Sequence, residues 1–371
     1  MNNQLQRRLI SQSILASTVV PWRTAFGQSI PQAEALTQPA WQKLATEPFK
    51  GKQDDLSFVN ANTGWYGNGL GKLFQTIDGG ATWMQKAHMP GTFIRALGFV
   101  DEKMGFMGNV GTQYYPDVTD THPLYRTNDG GTTWTKVQAE GIDKVKGICG
   151  IHILPQQRIY QGEMRNTPII HAAGRVGGPA YVIRSLDAGA NWQVIDVTAQ
   201  ADFILDVHFF DVNNGLLCTS TSDKIEKGEA QMLRTSDGGR SWVSVYRSGR
   251  PTENCWKMSF ASNRVGYATI QSYDPDPSAS KRVVIKTTDA GLTWQELALV
   301  DDIKAREFGI GFVSELRGWV GTMTSGFETN DGGRSWVPVN FGRAVNKIRI
   351  VQNGATKRVF AIGVDLHRLD T

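Results

Sequence analysis

The chain has 371 residues, of which 40% are hydrophobic and 20% charged, with a formal net charge of +4. That balance excludes a disordered or low-complexity chain and lacks the basic excess of a nucleic-acid-coating protein, so no nucleic-acid partner is expected. Three cysteines, Cys149, Cys218 and Cys255, make no disulfide framework; buried free thiols are expected, with one bridge between an unspecified pair as the alternative.

At the N-terminus, Arg7-Arg8-Leu9-Ile10 precedes a modestly apolar stretch from Ser11 to Val20, and Ala25-Phe26-Gly27 offers small residues to a signal peptidase. Residues 1–27 therefore read as an export signal of twin-arginine type, 28–39 as a linker and 40–371 as the folded body. No later stretch approaches the roughly 18 apolar residues of a membrane span, so an exported, periplasmic chain without a transmembrane segment is expected.

From residue 76 onward an eight-residue phrase recurs six times, beginning with Thr76-Ile-Asp78-Gly-Gly80-Ala-Thr82-Trp83. Its grammar is Asp-x-Gly-x-(Ser/Thr/Asn)-Trp, with a Ser or Thr two residues before the acid. The acids are Asp78, Asp129, Asp187, Asp237, Asp289 and Asp331, at steps of 51, 58, 50, 52 and 42 residues, a drifting period that signals stacked structural units. A carboxylate that accepts bonds from its own turn, followed by a residue free to take positive φ, makes a hairpin. One acid per unit is turn chemistry, not catalysis or metal binding. The closing Trp is expected to pack into the seam between units.

A second phrase precedes each turn: an aromatic residue, a polar stretch, then Gly and another aromatic or aliphatic residue. Its copies are Phe58…Gly64-Trp65, Phe99…Gly105-Phe106, Phe209…Gly215-Leu216, Phe260…Gly266-Tyr267 and Phe312…Gly318-Trp319. Degenerate versions are Ile153…Arg158-Ile159-Tyr160 and Ile350…Arg358-Val359-Phe360, which makes seven openings against six acidic turns. Near the other end, Trp41-Gln-Lys-Leu44 copies the strand after a turn, such as Trp134-Thr-Lys-Val137. The spacing thus predicts an all-β, seven-bladed β-propeller of four-stranded blades, its ring closed by an N-terminal outer strand. One unit reads as strands over Phe93 to Val100, Gly105 to Val110, Leu124 to Thr127 and Thr133 to Val137.

In such a ring the acidic turns share one face, and the opposite face gathers the loops between second and third strands. Those loops are short in the first and sixth units and long between them, at 111–123, 162–180, 220–231 and 271–281. One-sided insertions build a binding surface. With the inner-strand entrances they carry Tyr114, Tyr115, Glu163 and the arginines Arg95, Arg165, Arg175, Arg250, Arg306 and Arg343, a basic, aromatic rim suited to a carboxylate-bearing protein partner.

Catalytic signatures are sparse: no Gly-x-Ser-x-Gly elbow, phosphate loop or His-Glu-x-x-His occurs, and His152 and His208 lack a neighbouring set of ligands, so neither metal nor cofactor is expected. Glu163-Met-Arg165, followed by Gly174-Arg175 and Arg184-Ser-Leu-Asp187, is similar to the sialidase pattern of a Glu and an Arg before an Asp-box. A sialidase-type exo-acting glycoside hydrolase is therefore the alternative function.

Taken together, the repeated acidic turns, of the Asp-box or BNR type, and their Phe-x-(Asn/Asp)-x-x-x-Gly-aromatic openings resemble the photosystem II stability and assembly factor family over roughly Ala40 to the C-terminus. The resemblance implies a non-enzymatic propeller in the periplasm or thylakoid lumen. It further implies that the propeller binds a newly made membrane-protein subunit through an arginine-rich patch. A monomer is expected.

Overall fold

A computed structural model describes residues 40–274, 276, 282–300 and 305–371. The proposed export signal and the linker lie outside these residues.

Seven four-stranded antiparallel sheets follow one another along the chain. Their inner strands are Asp55–Phe58, Ile94–Phe99, Gly150–Leu154, Phe203–Phe209, Glu253–Phe260, Glu307–Phe312 and Lys347–Asn353. Among the described residues the sole helical element is a 3-10 turn, Ile142–Lys144. The seven-bladed β-propeller expected from the repeat is the observed fold.

The seventh blade holds three C-terminal strands, and its outer strand is Gln42–Lys43, paired with Leu366–Asp370 through Gln42↔Arg368 and Lys43↔His367. Leu44 N adds a bond to Leu366 O at 2.8 Å. Trp41 fills the seam beside it, stacked on Phe341 at 4.7 Å and edge-on to Trp319 at 5.6 Å. The first segment of the body thus clasps the last.

The two recurring phrases are two halves of one packing device. The opening Phe lies directly across the ladder from the opening Gly, as in Phe99↔Gly105, and a Cβ on Gly105 would sit 2.5 Å from the Phe99 ring. Only Gly lets the ring lie flat on the backbone. The other side of the ring stacks on the preceding blade: Phe99 on Trp65 at 3.7 Å and Phe312 on Tyr267 at 3.6 Å. The turn Trp then meets the same Phe edge-on, as Trp134 does at 6.2 Å. The seams at Phe58, Phe99, Phe209 and Phe312 are therefore ring stacks closed by the neighbouring turn Trp.

The acidic turns form as their chemistry dictates. Asp129 Oδ1 accepts from Thr127 Oγ1 at 2.8 Å and from Thr133 N at 2.9 Å, and Oδ2 accepts from Thr133 Oγ1 at 2.6 Å. Gly130 and Gly131 take φ of 73° and 90°, which a β-carbon would oppose. These bonds to Thr133 hold Asp129 down to about 2.

The third blade departs from expectation. Its second strand is Ile169–Ala173, not the segment opening at Arg158. Residues Gln157–Tyr160 and Glu163–Asn166 instead form a separate two-stranded hairpin between the blade's first and second strands. The cause is legible: Ile169-Ile-His-Ala-Ala173 is a buried run, whereas the hairpin is exposed and turns back at Gln161-Gly162 with φ of 50° and 84°.

Candidate functional site

The inserted hairpin overturns one placement. It joins first and second strands, so it lies at the end of the sheet that carries the acidic turns; Pro168 O beside it accepts from Ala188 N, in the blade's own turn, at 3.1 Å. Arg165 and Glu163 therefore belong to the face opposite the proposed basic rim. There they pair with each other at 3.4 Å in an exposed position. The long loop of this blade shrinks to residues 174–180 and keeps Arg175.

Five of the six proposed arginines do collect at the other face, with different fates. Arg175 is buried, and its guanidinium donates to Thr112 O at 2.7 Å, Gly178 O at 3.2 Å and Val110 O at 3.3 Å, fastening the second blade's loop to the third. Tyr114 lies 5.1 Å beneath it and donates to Val176 O at 2.7 Å. Arg250 is held by Glu253 at 2.7 Å and Glu296 at 2.9 Å. Arg343 is exposed on the link between the sixth and seventh blades. Arg95 and Arg306 line a cavity.

That cavity, about 580 Å³, opens where the inner-strand entrances converge. Lys52, Arg95 and Arg306 supply its charge; Tyr115, Trp256, Tyr273 and Phe308 supply aromatic surface. Arg306 lies 4.6 Å over the Tyr273 ring, and Lys52 5.8 Å from Phe308. Tyr115 stacks on Phe93 at 4.5 Å and remains 43% exposed, so its ring is available to a ligand. Three cations in such a wall would suit an anion that also carries apolar bulk.

Asp54 sets the electrostatics. It is fully buried and bonds both Arg95 and Lys52 through Oδ1. Burial lowers Lys52 to about 8 against the opposing pull of Asp54. Burial also opposes the Arg95 charge, but Asp54 prevails and raises its pKa further. One carboxylate cannot cancel two cations with a third nearby, so the cavity keeps a net positive charge.

Beneath the cavity, side-chain bonds span non-adjacent blades. Trp256 Nε1 donates to Asn346 Oδ1 at 3.1 Å, and Asn346 Nδ2 to Asp54 O at 2.9 Å, joining the fifth, seventh and first blades. Lys257 reaches Leu205 O and, at 3.3 Å, Cys149 O. Further in, Asp55 pairs with Lys347 at 3.2 Å and Arg349 at 3.1 Å, and Asp206 with Lys257 at 3.8 Å. His152 and His208 approach to 4.5 Å between ring centroids, both with pKa lowered by burial, and no cluster of three or more metal-ligating side chains occurs among the described residues.

Sequence reasoning missed Lys52 and Trp256. Lys52 occupies the entrance of the first inner strand, the position that Arg95 and Arg306 hold in theirs, so the same rule applied one blade earlier would have found it. Trp256 had no comparable signal, because a Trp on an inner strand reads equally as core.

No family model matches the chain. Among curated proteins, a xyloglucanase from a Paenibacillus species is 24% identical over 348 residues, covering 82% of this chain and 32% of the relative. The chain spans about a third of the length of the curated relatives it matches. Among solved structures, an ancestral GH74 enzyme superposes with a TM-score of 0.61 at 15% identity, covering 88% of this chain and 45% of that one. A structure of YCF48 bound to D1 peptide superposes with a TM-score of 0.60 at 16% identity, covering 91% of this chain and 97% of that one. In architecture, then, this chain is similar over 91% of its length to YCF48, a photosystem II assembly factor, and shares with the longer GH74 enzymes a propeller of the same kind.

Proposed function

We propose that this chain is a non-enzymatic, exported protein-binding scaffold that recognises an acidic segment of a protein partner, such as a membrane-protein assembly intermediate, at the cationic cavity. The observation that carries the reading is the convergence of Lys52, Arg95 and Arg306 with Tyr115, Trp256 and Tyr273 at one mouth of the ring. The YCF48 structure, solved with a D1 peptide, supports it by analogy of fold. In this reading residues 1–27 direct export, the mature body works in the periplasm or, in a photosynthetic host, the thylakoid lumen, and the six turn acids are architectural. The test uses fluorescently labelled acidic-aromatic peptides and their amidated, charge-neutral counterparts. Arg306→Glu and Tyr115→Ala are each expected to weaken binding of the acidic peptides at least tenfold, and equal binding of both peptide sets, or unchanged affinity in the variants, would refute the assignment.

The xyloglucanase likeness motivates a second reading, a glycoside hydrolase. Such enzymes work with a pair of carboxylates, one of them kept protonated. The channel acids Asp54, Asp55 and Asp206 are each paired with cations, burial of Asp206 is overridden by Lys257 so that its pKa falls, and Glu163 is 75% exposed on its hairpin. Reducing-end release from xyloglucan, together with a sialoside panel and Glu163→Gln as control, discriminates the readings: turnover by the purified chain would establish the enzyme.

A further inference from the structure

The hairpin of the third blade forms a two-stranded sheet of its own, apart from the seven four-stranded ones. Its strands pair only with each other among the described residues, with Arg158 opposite Arg165 and Ile159 opposite Met164. Ile159 is 73% exposed and Met164 66%. A two-stranded ribbon alone is marginal in water, and this one presents an apolar cross-strand pair beside open edges.

Which backbone groups point outward follows from the alternation of an antiparallel ladder. Thr167 N donates to Gln156 O at 2.8 Å, so that pair is a bonded one. Counting inward, pairs 158/165 and 160/163 are bonded as well, and the N–H and C=O of Ile159 and Met164 turn away from the hairpin. Met164 therefore offers a donor and an acceptor at the middle of an open edge. Glu163 and Arg165 flank it, with side chains on the other face.

We propose that this edge pairs with the same edge of a second copy of the chain, antiparallel about a twofold axis through Met164. Met164 then exchanges both backbone bonds with its counterpart, and Glu163 lies across from the partner's Arg165 on both sides of the axis. The two intrachain contacts between Glu163 and Arg165, one in each copy, are replaced by two intermolecular ones. Centring the axis on Glu163 or Arg165 instead sets like charges face to face, so charge selects the register. On the opposite face Ile159 and Met164 join their counterparts in one apolar stripe across four strands. Such an isologous contact closes on itself as a dimer. It falls short of the roughly 1,200 Å² of a stable interface, so association is weak and concentration-dependent. The cationic cavity, on the other face of the ring, stays open.

Sedimentation of the full chain between about 5 and about 300 µM, the range for a contact of this size, is expected to show a monomer–dimer equilibrium. Glu163→Arg and Arg165→Glu should each weaken it at least tenfold, and the double exchange should restore it, because opposite charges meet again. Met164→Cys should yield a disulfide-linked dimer under mild oxidation by a small-molecule disulfide, which takes up the two thiol hydrogens, since bonded partners across a ladder lie about 5.5 Å apart at Cα. Asn166→Cys should not, and Cys149, Cys218 and Cys255 are buried. All four sites are exposed, so unchanged thermal melting confirms an intact ring. A monomer throughout the range, a dimer indifferent to single charge reversal, or failure of Met164→Cys to cross-link would each overturn the proposal.

Discussion

At the residue scale the decisive feature is a buried carboxylate that two cations share. Asp54 keeps Arg95 charged, but Lys52 at about 8 loses its proton just above neutrality. Affinity for an anionic peptide is therefore expected to fall as pH rises through about 8, and Lys52→Met should abolish that dependence; titration by fluorescence anisotropy between about pH 6.5 and 9.5 reads it. Stability responds with the opposite sense. Between about 8 and the ordinary 10.5 of lysine, the unfolded chain binds more protons at Lys52 and at Lys347, which burial also lowers to about 8. Resistance to urea should accordingly rise across that window. Arg95 and Arg306 were legible in the sequence because entrances to inner strands converge in any ring. Arg165 was not correctly placed, because the count of loops assumed that the third unit kept the common opening.

At the element scale, a turn carboxylate and a stacked ring hold most of the repeats. Asp129→Ala removes bonds to Thr127 and Thr133 at an exposed hairpin and should cost about 1 kcal/mol, the size of a lost helix cap, as read by thermal denaturation. The turn acids also set the acid limit: Asp78, Asp129, Asp237 and Asp331 titrate at about 2 instead of 3.8, chiefly through bonds from the Thr or Ser four residues on. Their contribution is complete above about pH 4 and is lost as pH falls toward 2. Gly105→Ala should cost about 1–3 kcal/mol, because its β-carbon would meet the Phe99 ring at 2.5 Å and the ring is fixed by Trp65 behind it. These elements could be read before any coordinates, since Gly, Asp and aromatic residues in fixed order admit few geometries. The third blade could not: Arg158-Ile-Tyr alternates like a strand, and alternation alone does not say whether a strand joins a core or stands outside it.

At the scale of the whole molecule, closure rests on a short strand and one indole. Trp41 sits between Phe341 and Trp319, and truncation by Trp41→Ala is expected to cost about 3–5 kcal/mol and to broaden the unfolding transition as the seventh blade loosens from its neighbours. Differential scanning calorimetry against an exposed control such as Val243→Ala measures both effects. The count of seven openings against six turns already implied this clasp, because a propeller leaves no outer strand unpaired.

The bonds that Trp256, Asn346 and Lys257 make between blades have a last implication. A ring of this kind is often pictured as a pipe, with traffic passing from one side to the other. Here side-chain bonds tie non-adjacent blades together beneath the cavity, so a long polymer is expected to present a terminus or a bent segment there instead of a thread drawn through the middle.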